Sequence, residues 1–446
     1  YKKSAANSII KTGKIYKTSD LEDEKSRITT QFRNNGGYNF QPTNVSFDID
    51  TLNGNHKANI NLKIDNYSYN DGDSIKTRPF HLYKISEVNI HTDFNAKDTV
   101  EVAEKKTTFQ NFNLFSKGKL KYRPKAITDA VFVAPGSYYS DLRSNLTTRY
   151  LSNLKVFNYP SIRYRQNPAD SLGQSLIADI YLTQREKFSF GYGIDFTHSN
   201  IQDFGISGTL SFGIKNVFNG AETFEIATRG NIGSSKDLAN PDNRFFNVSD
   251  YGIDMKLNFP RIFMFFNTEK IIPKSMIPST SVTMGFSKQK NIGLDKENFT
   301  GAMTYTWTPR RTTTMRFDLF NIQYVKNVNP GNYFNVYQSS YVALNDLAVK
   351  YNANPAYFNS DNELYVPSGI NSFVTDINNG TITATTADQK TINNIIERAN
   401  RLTENNLIFA SNFSLSKTTK SDIYDESFHV FRTKFESAGN FLSLLA

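Results

Sequence analysis

The sequence predicts α+β domains followed by an antiparallel transmembrane β-barrel, of which about nine strands are present. Three observations predict this fold class. Aromatic residues make up 14% of the chain although its mean hydropathy is −0.49, apolar and polar residues alternate from residue 187 onward, and a helix-and-strand pattern comes before them. The expected boundaries are an N-terminally incomplete domain at 1–66, a domain at 80–185 with an insertion at 92–119, and a barrel segment at 186–446.

The first domain is predicted to be a helix packed on a β-hairpin. Ser19-Asp20-Leu21-Glu22 matches a capping box, and helical spacing of apolar residues continues to residue 34. Residues 45–49 and 58–64 then alternate on either side of Asn53-Gly54-Asn55, a turn sequence typical of hairpins. The polar stretch 65–79 is expected to be a linker.

The second domain is predicted to repeat this scheme with one more strand at its start. Strands are expected at 83–90, 156–164 and 175–183, and helices at 124–133 and 140–154. The pattern assigns no structure to the insertion 92–119.

The first barrel strand has a strictly two-residue period. Phe, Tyr and Ile fill one face, and Gly, Ser, Thr and Asp fill the other, as expected where lipid lies on one side and a wet lumen on the other. This predicted strand consists of Lys187, Phe188, Ser189, Phe190, Gly191, Tyr192, Gly193, Ile194, Asp195, Phe196 and Thr197.

Eight further alternating segments follow, about nine to eleven residues each, the length that a tilted strand needs to cross a bilayer. A soluble β-sandwich also has alternating strands. Aromatic residues at both ends of the apolar face and the mixed polar face favour the barrel. The predicted lipid-facing residues include Leu210, Phe212, Met255, Leu257 and Trp307.

Loop lengths predict the orientation, because outer-membrane barrels have short periplasmic turns and long external loops. If the first strand starts on the periplasmic side, the longest connection, 326–405, is external, and helical spacing at 340–351 and 388–403 predicts an ordered cap. The connection 260–280 is long for a periplasmic turn and is expected to pack under the barrel.

Several other classes of protein are disfavoured. The most apolar short stretch, Ile262–Phe266, ends after five residues, whereas a membrane-spanning helix needs about 18 or more. The chain has no Cys, so these residues form no disulfide scaffold, Cys-ligated metal site or thiol nucleophile. Its net charge is +9, but the Lys and Arg residues are scattered rather than clustered, so nucleic-acid binding is not expected. The five His residues have no metal-ligand spacing, and no nucleotide-binding or hydrolase motif is present. No metal site, cofactor, catalytic residue or enzyme activity is expected.

Two features resemble a known family. A Gly-x-x-Tyr step at Gly13–Tyr16 and at Gly136–Tyr139 leads into the helix in both N-terminal domains, which resemble POTRA domains. Such domains before a barrel with a Gly-rich first strand resemble the BamA/TamA superfamily. The composition rich in Asn, Lys and Tyr, with segments such as Asn298–Gly301 and Tyr333–Ser340, is similar to TamA-type members of Bacteroidota. The resemblance implies a barrel of about sixteen strands, so we expect a chain truncated at both ends. The family's Arg-Gly-Phe motif and terminal aromatic residue are not found in it.

The resemblance implies assembly or translocation of proteins at the bacterial outer membrane, with the N-terminal domains in the periplasm. The expected partners are outer-membrane lipids, unfolded client outer-membrane proteins, and periplasmic proteins or lipoproteins that bind the POTRA domains. Clients would add strands to the POTRA edges, and strand 187–197 would form a lateral gate. A passive pore is the main alternative and a barrel enzyme a weaker one. Sequence does not specify the clients, the partners, a lipid anchor, or a BamA-like as opposed to a TamA-like role.

Overall fold

The computed structural model describes residues 7–51, 57–72, 74–95, 105–198, 204–234, 246–290, 295–420 and 425–439. The described chain is mostly β-strand and divides into two compact units, Tyr1–Lys187 with Lys215–Glu222, and Phe188–Ile214 with Thr223–Ala446. The predicted turn at 53–55, the middle of the insertion at 96–104 and the chain end at 441–446 lie outside the described residues. Among those described, no helix is long and apolar enough to span a bilayer.

The first unit opens with a helix on a hairpin, as predicted. Helix α1 (Thr18–Asn34) is followed by the antiparallel pair β1 (Val45–Asp50) and β2 (Asn59–Ile64). Ile28 of the helix and Phe40 after it are buried against the hairpin and form a small core. Burial of one apolar face explains why this amphipathic segment is helical here.

Two predictions for this region are wrong. The helix begins one residue before the capping box, and the residue preceding it is Lys17, whose side chain makes no cap hydrogen bond. The stretch 65–79 is a hairpin rather than a linker, formed by β3 (Tyr67–Asp71) and β4 (Ser74–Arg78). This hairpin is stabilised by aromatic and cationic side chains rather than aliphatic ones, so its sequence lacks the usual apolar alternation. The Arg78 guanidinium lies 5.2–5.6 Å from the ring centroids of Tyr67 and Tyr69, which stack on each other.

The second half of this unit is a five-stranded sheet with two helices. The elements are β5 (Lys84–His91), β6 (Lys105–Phe109), β7 (Phe112–Ser116), α2 (Pro124–Thr128), α3 (Asp141–Asn153), β8 (Phe157–Gln166) and β9 (Ser175–Gln184). The strand order is β6-β7-β5-β9-β8. Strand β5 runs parallel to both of its neighbours, and β8 and β9 are antiparallel.

The three predicted strands and the second helix are confirmed, and α2 is shorter than expected. It ends at Thr128, because the apolar residues beyond it, Val131 and Val133, are buried outside the helix and are β-branched. The insertion supplies a hairpin that extends the sheet, with Leu114 of β7 fully buried. Alternation alone did not reveal it, since β6 and β7 are only five residues each.

An Arg-centred joint connects the two halves of the first unit. Arg33 on α1 forms an ion pair with Asp141 at the start of α3, and donates to the Tyr139 hydroxyl (2.9 Å) and to the backbone oxygens of Tyr38 and Phe40 (both 3.0 Å). Burial opposes ionisation of Asp141, but the hydrogen bonds from Arg33 and Tyr139 hold the pKa of its carboxyl below the usual value. The guanidinium therefore fixes α1 against the second half.

The second unit contains a nine-stranded antiparallel sheet in which every strand pairs with its neighbours in sequence. All nine predicted strands are confirmed, and most are longer than expected. They are β10 (Phe188–Thr197), β11 (Phe204–Lys215), β12 (Thr223–Ser234), β13 (Val248–Phe259), β14 (Ser279–Lys290), β15 (Lys296–Arg310), β16 (Thr313–Asn327), β17 (Asn406–Thr418) and β18 (Val430–Ala438). The described sheet is open, with β10 and β18 at its two edges.

The long connection between β16 and β17 is a helical subdomain with its own core. It contains α4 (Tyr333–Val336), α5 (Gln338–Lys350), α6 (Ser368–Asn378) and α7 (Thr386–Thr403). The two predicted helices correspond to α5 and α7. The third long helix, α6, was missed although its Ile370, Phe373 and Ile377 are buried in this core.

Candidate functional site

The predicted first barrel strand is the edge strand β10. Lys187 lies just before it, and the remaining residues from Phe188 to Thr197 form the strand. It pairs with β11 in an unbroken register, from Phe188 opposite Ile214 to Thr197 opposite Gly205. Its Phe, Tyr and Ile side chains all point to one face, where each is more than half exposed. The strand therefore presents a row of five large apolar side chains at an edge of the sheet.

The two glycines of β10 lie on the opposite, polar face. A Cβ at Gly191 would come within 2.7 Å of the Ser211 hydroxyl, and one at Gly193 within 2.8 Å of the Thr209 hydroxyl. Both hydroxyls belong to the directly opposite residues of β11. The glycines thus leave room for the side chains of Ser211 and Thr209 on the neighbouring strand. They also give the edge strand few side-chain contacts on this face.

The predicted lipid-facing residues lie on an exposed apolar face of the sheet. Leu210 is 53% exposed and pairs with Tyr192, while Met255 pairs with Met284. Phe212 is also exposed, and Leu257 and Trp307 are half-buried. Monomeric soluble proteins rarely expose so large an apolar surface. This face requires either lipid or protein to cover it.

Charged residues of the sheet concentrate on the other face and pair there. Arg229 of β12 donates to Asp254 of β13 at 2.5 Å. Asp318 is buried, accepts from the Thr304 hydroxyl at 2.6 Å, and forms an ion pair with Arg316 at 2.9 Å. An exception lies near the ends of β14 and β15 that are remote from the start of β10, where Lys288 and Glu297 form an ion pair at 3.0 Å on the apolar face. Across the middle of the sheet, the alternation in sequence separates charge from apolar surface.

A shallow groove of about 570 Å³ crosses strands β10, β11 and β12. Large apolar side chains line it, notably Phe190, Tyr192 and Ile194, beside Gly208 and Gly230, which have no side chains. Sequence reasoning missed this groove, because it depends on which residues of three strands become neighbours. Glycines within otherwise apolar rows were the available signal.

The helical subdomain has a charged cluster on its surface. Lys350, Tyr351 and Thr385 donate hydrogen bonds to one carboxylate oxygen of Asp388, at 2.6, 2.5 and 2.9 Å. These bonds lower the pKa of Asp388 to about 2 and raise that of Lys350. The cluster ties the end of α5 to the start of α7.

The connection 260–280 does not follow the expectation that it packs under the barrel. Its first residues fold onto the apolar face, where Thr280 and Tyr305 become buried. The Thr280 hydroxyl accepts from the backbone N–H of Phe263 (2.9 Å) and donates to the oxygen of Arg261 (2.8 Å). The Thr280 hydroxyl therefore attaches residues 261–263 to the apolar face, a contact that the sequence pattern did not indicate.

No protein-family model and no curated protein matches the sequence. Among solved structures, BamA from Haemophilus ducreyi lacking POTRA domains 1-3 is similar, with a TM-score of 0.41 and 8% identity over 96% of this chain and 59% of that chain. CdiB from Acinetobacter baumannii has a TM-score of 0.31 and 10% identity over 96% and 62% of the two chains. CdiB from Escherichia coli has a TM-score of 0.27 and 10% identity over 95% and 63%. The chain therefore spans about three-fifths of the length of these proteins.

Proposed function

We propose that this chain is part of a bacterial outer-membrane β-barrel that inserts or translocates other proteins. The observation that carries the proposal is the sheet itself, nine sequential antiparallel strands with one exposed apolar face and one charged face. The apolar face is covered by outer-membrane lipid, and the polar face lines the interior of the barrel.

Strand dimensions support a membrane-spanning role. Several strands, β11 among them, are 12 residues long. At about 3.3 Å per residue and a tilt of about 40°, such a strand spans about 30 Å, the thickness of a hydrocarbon core. Each strand can thus cross the bilayer without exposing its charged face to lipid.

The first unit supports a periplasmic role in handling extended chains. The order β5-β9-β8 with the helices α2 and α3 between β5 and β8 is the arrangement expected of a POTRA domain. One edge of this sheet is β6 and the other is β8. An extended client can pair with an edge strand through main-chain hydrogen bonds. Pro160 cannot donate such a bond, so residues 161–166 of β8 are the better site.

Strand β10 is the proposed lateral gate. As an edge strand it offers its outer side for pairing with the last strand of the complete barrel or with a client. Gly191 and Gly193 limit the stability of this pairing, since glycine weakens strands. The composition supports the narrower proposal of a TamA-type role in Bacteroidota.

A disulfide lock tests the proposal in the full-length protein. A cysteine at Thr197 joined to one on the last strand should leave the barrel folded but stop assembly of client proteins until reductant is added. The control is a disulfide between Asp195→Cys and Ser207→Cys, which join two strands already paired. That lock should leave assembly unchanged. Client assembly at the normal rate with the gate locked would reject the gate and favour a passive pore.

A further inference from the structure

The connection between β13 and β14, residues 260–278, carries an exposed cluster of aromatic and aliphatic side chains. Phe265 is 99% exposed, Ile271 76%, Phe266 57% and Phe263 55%. Such side chains cost free energy in water, because each leaves a large apolar surface hydrated. We infer that this segment, the aromatic loop, inserts into the headgroup region of the leaflet on the side where β10 begins.

The aromatic loop is held against the apolar face at the ends of β13 and β14. Phe263 stacks on Phe259, the last residue of β13, with ring centroids 5.0 Å apart. The backbone oxygen of Phe263 accepts from the Tyr305 hydroxyl at 3.2 Å. With the two hydrogen bonds of the Thr280 hydroxyl, these contacts satisfy the buried hydroxyls of Thr280 and Tyr305. The loop therefore continues the surface that lipid is proposed to cover.

Backbone hydrogen bonds close a turn at the tip of the loop. The backbone N–H groups of Ile271 and Ile272 both donate to the oxygen of Thr268, at 3.0 and 2.8 Å. The N–H of Glu269 donates to the Asn267 side chain at 2.9 Å. A turn fixed in this way presents Ile271 to the surroundings.

Charge supports lipid as the occupant. Residues 260–280 contain Arg261, Lys270 and Lys274 and a single acidic residue, Glu269. Amphipathic helices that carry Phe or Leu beside basic residues bury their apolar side chains about 5–10 Å into the boundary between headgroups and acyl chains. Long basic side chains reach from there to the headgroups, and we expect the same of this loop, because it combines Phe and Ile with basic residues. A protein partner would need a pocket matching four separate apolar side chains, whereas lipid needs none.

The position of the loop identifies the leaflet. The loop joins β13 to β14 at the strand ends where β10 begins, and the helical subdomain lies at the opposite ends, between β16 and β17. With the subdomain external, as proposed, the aromatic loop lies in the leaflet that faces the periplasm. The inference rests on the proposed membrane placement of the sheet, and its test separates the two.

Tryptophan fluorescence tests the inference, since Trp307 is the single tryptophan among these 446 residues. In a background of the full-length protein in which Trp307 and any tryptophan outside residues 1–446 are replaced by Phe, Phe265→Trp reports on the loop, Leu210→Trp on the sheet and Tyr365→Trp on the helical subdomain. All three positions are at least half exposed, so the new side chains disturb little packing. Each variant is refolded into vesicles of phosphatidylethanolamine and phosphatidylglycerol containing brominated phosphatidylcholine, and heat-modifiable migration on gels confirms folding.

The expected result is quenching of Phe265→Trp, strongest with bromine high on the acyl chain. Leu210→Trp should be quenched most by bromine deeper in the chain, and Tyr365→Trp should not be quenched. If Leu210→Trp is quenched and Phe265→Trp is not, the loop inference is wrong while the membrane placement stands. Shielding of Phe265→Trp from iodide without bromine quenching would assign the loop to a protein surface and overturn the inference. Loss of quenching at both positions would reject the membrane placement as well.

Discussion

Arginine scanning of two adjacent residues in β11 tests the assignment of the two faces. Leu210 and Ser211 are neighbours in the middle of the strand, and their side chains point to opposite faces. Leu210 is exposed on the apolar face, whereas Ser211 lies on the polar face opposite Gly191, whose missing side chain leaves room for a longer one. The pair shares depth, strand and backbone, so only the environment of the side chain differs.

The expected cost follows from that environment. An arginine on the lipid face near the bilayer midplane destabilises a barrel by about 2–4 kcal/mol. This is about a 30- to 1,000-fold change in the folding equilibrium. In a soluble sheet the same change at an exposed site stays within about 0.5 kcal/mol. Ser211→Arg should cost far less than Leu210→Arg in a membrane barrel, because the guanidinium would lie on the proposed wet face.

Denaturant titration in lipid vesicles, followed by tryptophan fluorescence, measures both variants against the unmodified full-length protein. A second lipid-face position, Met255→Arg, should behave like Leu210→Arg, since Met255 pairs with Met284 in the middle of the apolar face. Equal tolerance of arginine at positions 210 and 211 would refute the two-face assignment and favour a soluble sheet.

Three further changes probe other parts of the chain. With the helical subdomain external, Ser360→Cys, in an exposed turn, should react with an impermeant thiol reagent on intact cells, and labelling only after lysis would reverse the topology. Arg33→Met should reduce hydrogen-exchange protection of α1 by about 2 kcal/mol, because it leaves the Asp141 carboxylate without its charge partner. Unchanged protection would show that Arg33 does not hold α1 in place. The lowered pKa of Asp388 means that its contribution to stability is present above the unfolded pKa near 4 and is lost as the pH falls towards about 2. Asp388→Asn should abolish that acid-dependent loss of helix, seen by circular dichroism, while retention of the loss would assign it to other groups.

Local patterning predicted much of the second unit. Strict alternation from Phe188 onward identified nine strands, and the same alternation placed Leu210 and Met255 on the apolar face. Side chains of a strand point to opposite sides in turn, so the sequence of a single strand contains this information. The helices α3, α5 and α7 were also predictable, because the helical spacing of apolar residues that forms a buried stripe is contained within each segment.

Tertiary structure decided what depends on residues distant in sequence. The hairpin β6–β7 extends the sheet because β7 pairs in parallel with β5. Each of the two strands has only five residues, too few for a recognisable alternation in the sequence. The connection 260–280 folds onto the apolar face because the hydroxyls of Thr280 and Tyr305 would otherwise be left unsatisfied there. The sequence by itself determined which segments of the second unit are strands and which side of each is apolar. Only the tertiary structure decided which strands lie at the edges and which polar groups are covered, because pairing and hydrogen bonding join residues that no local period relates.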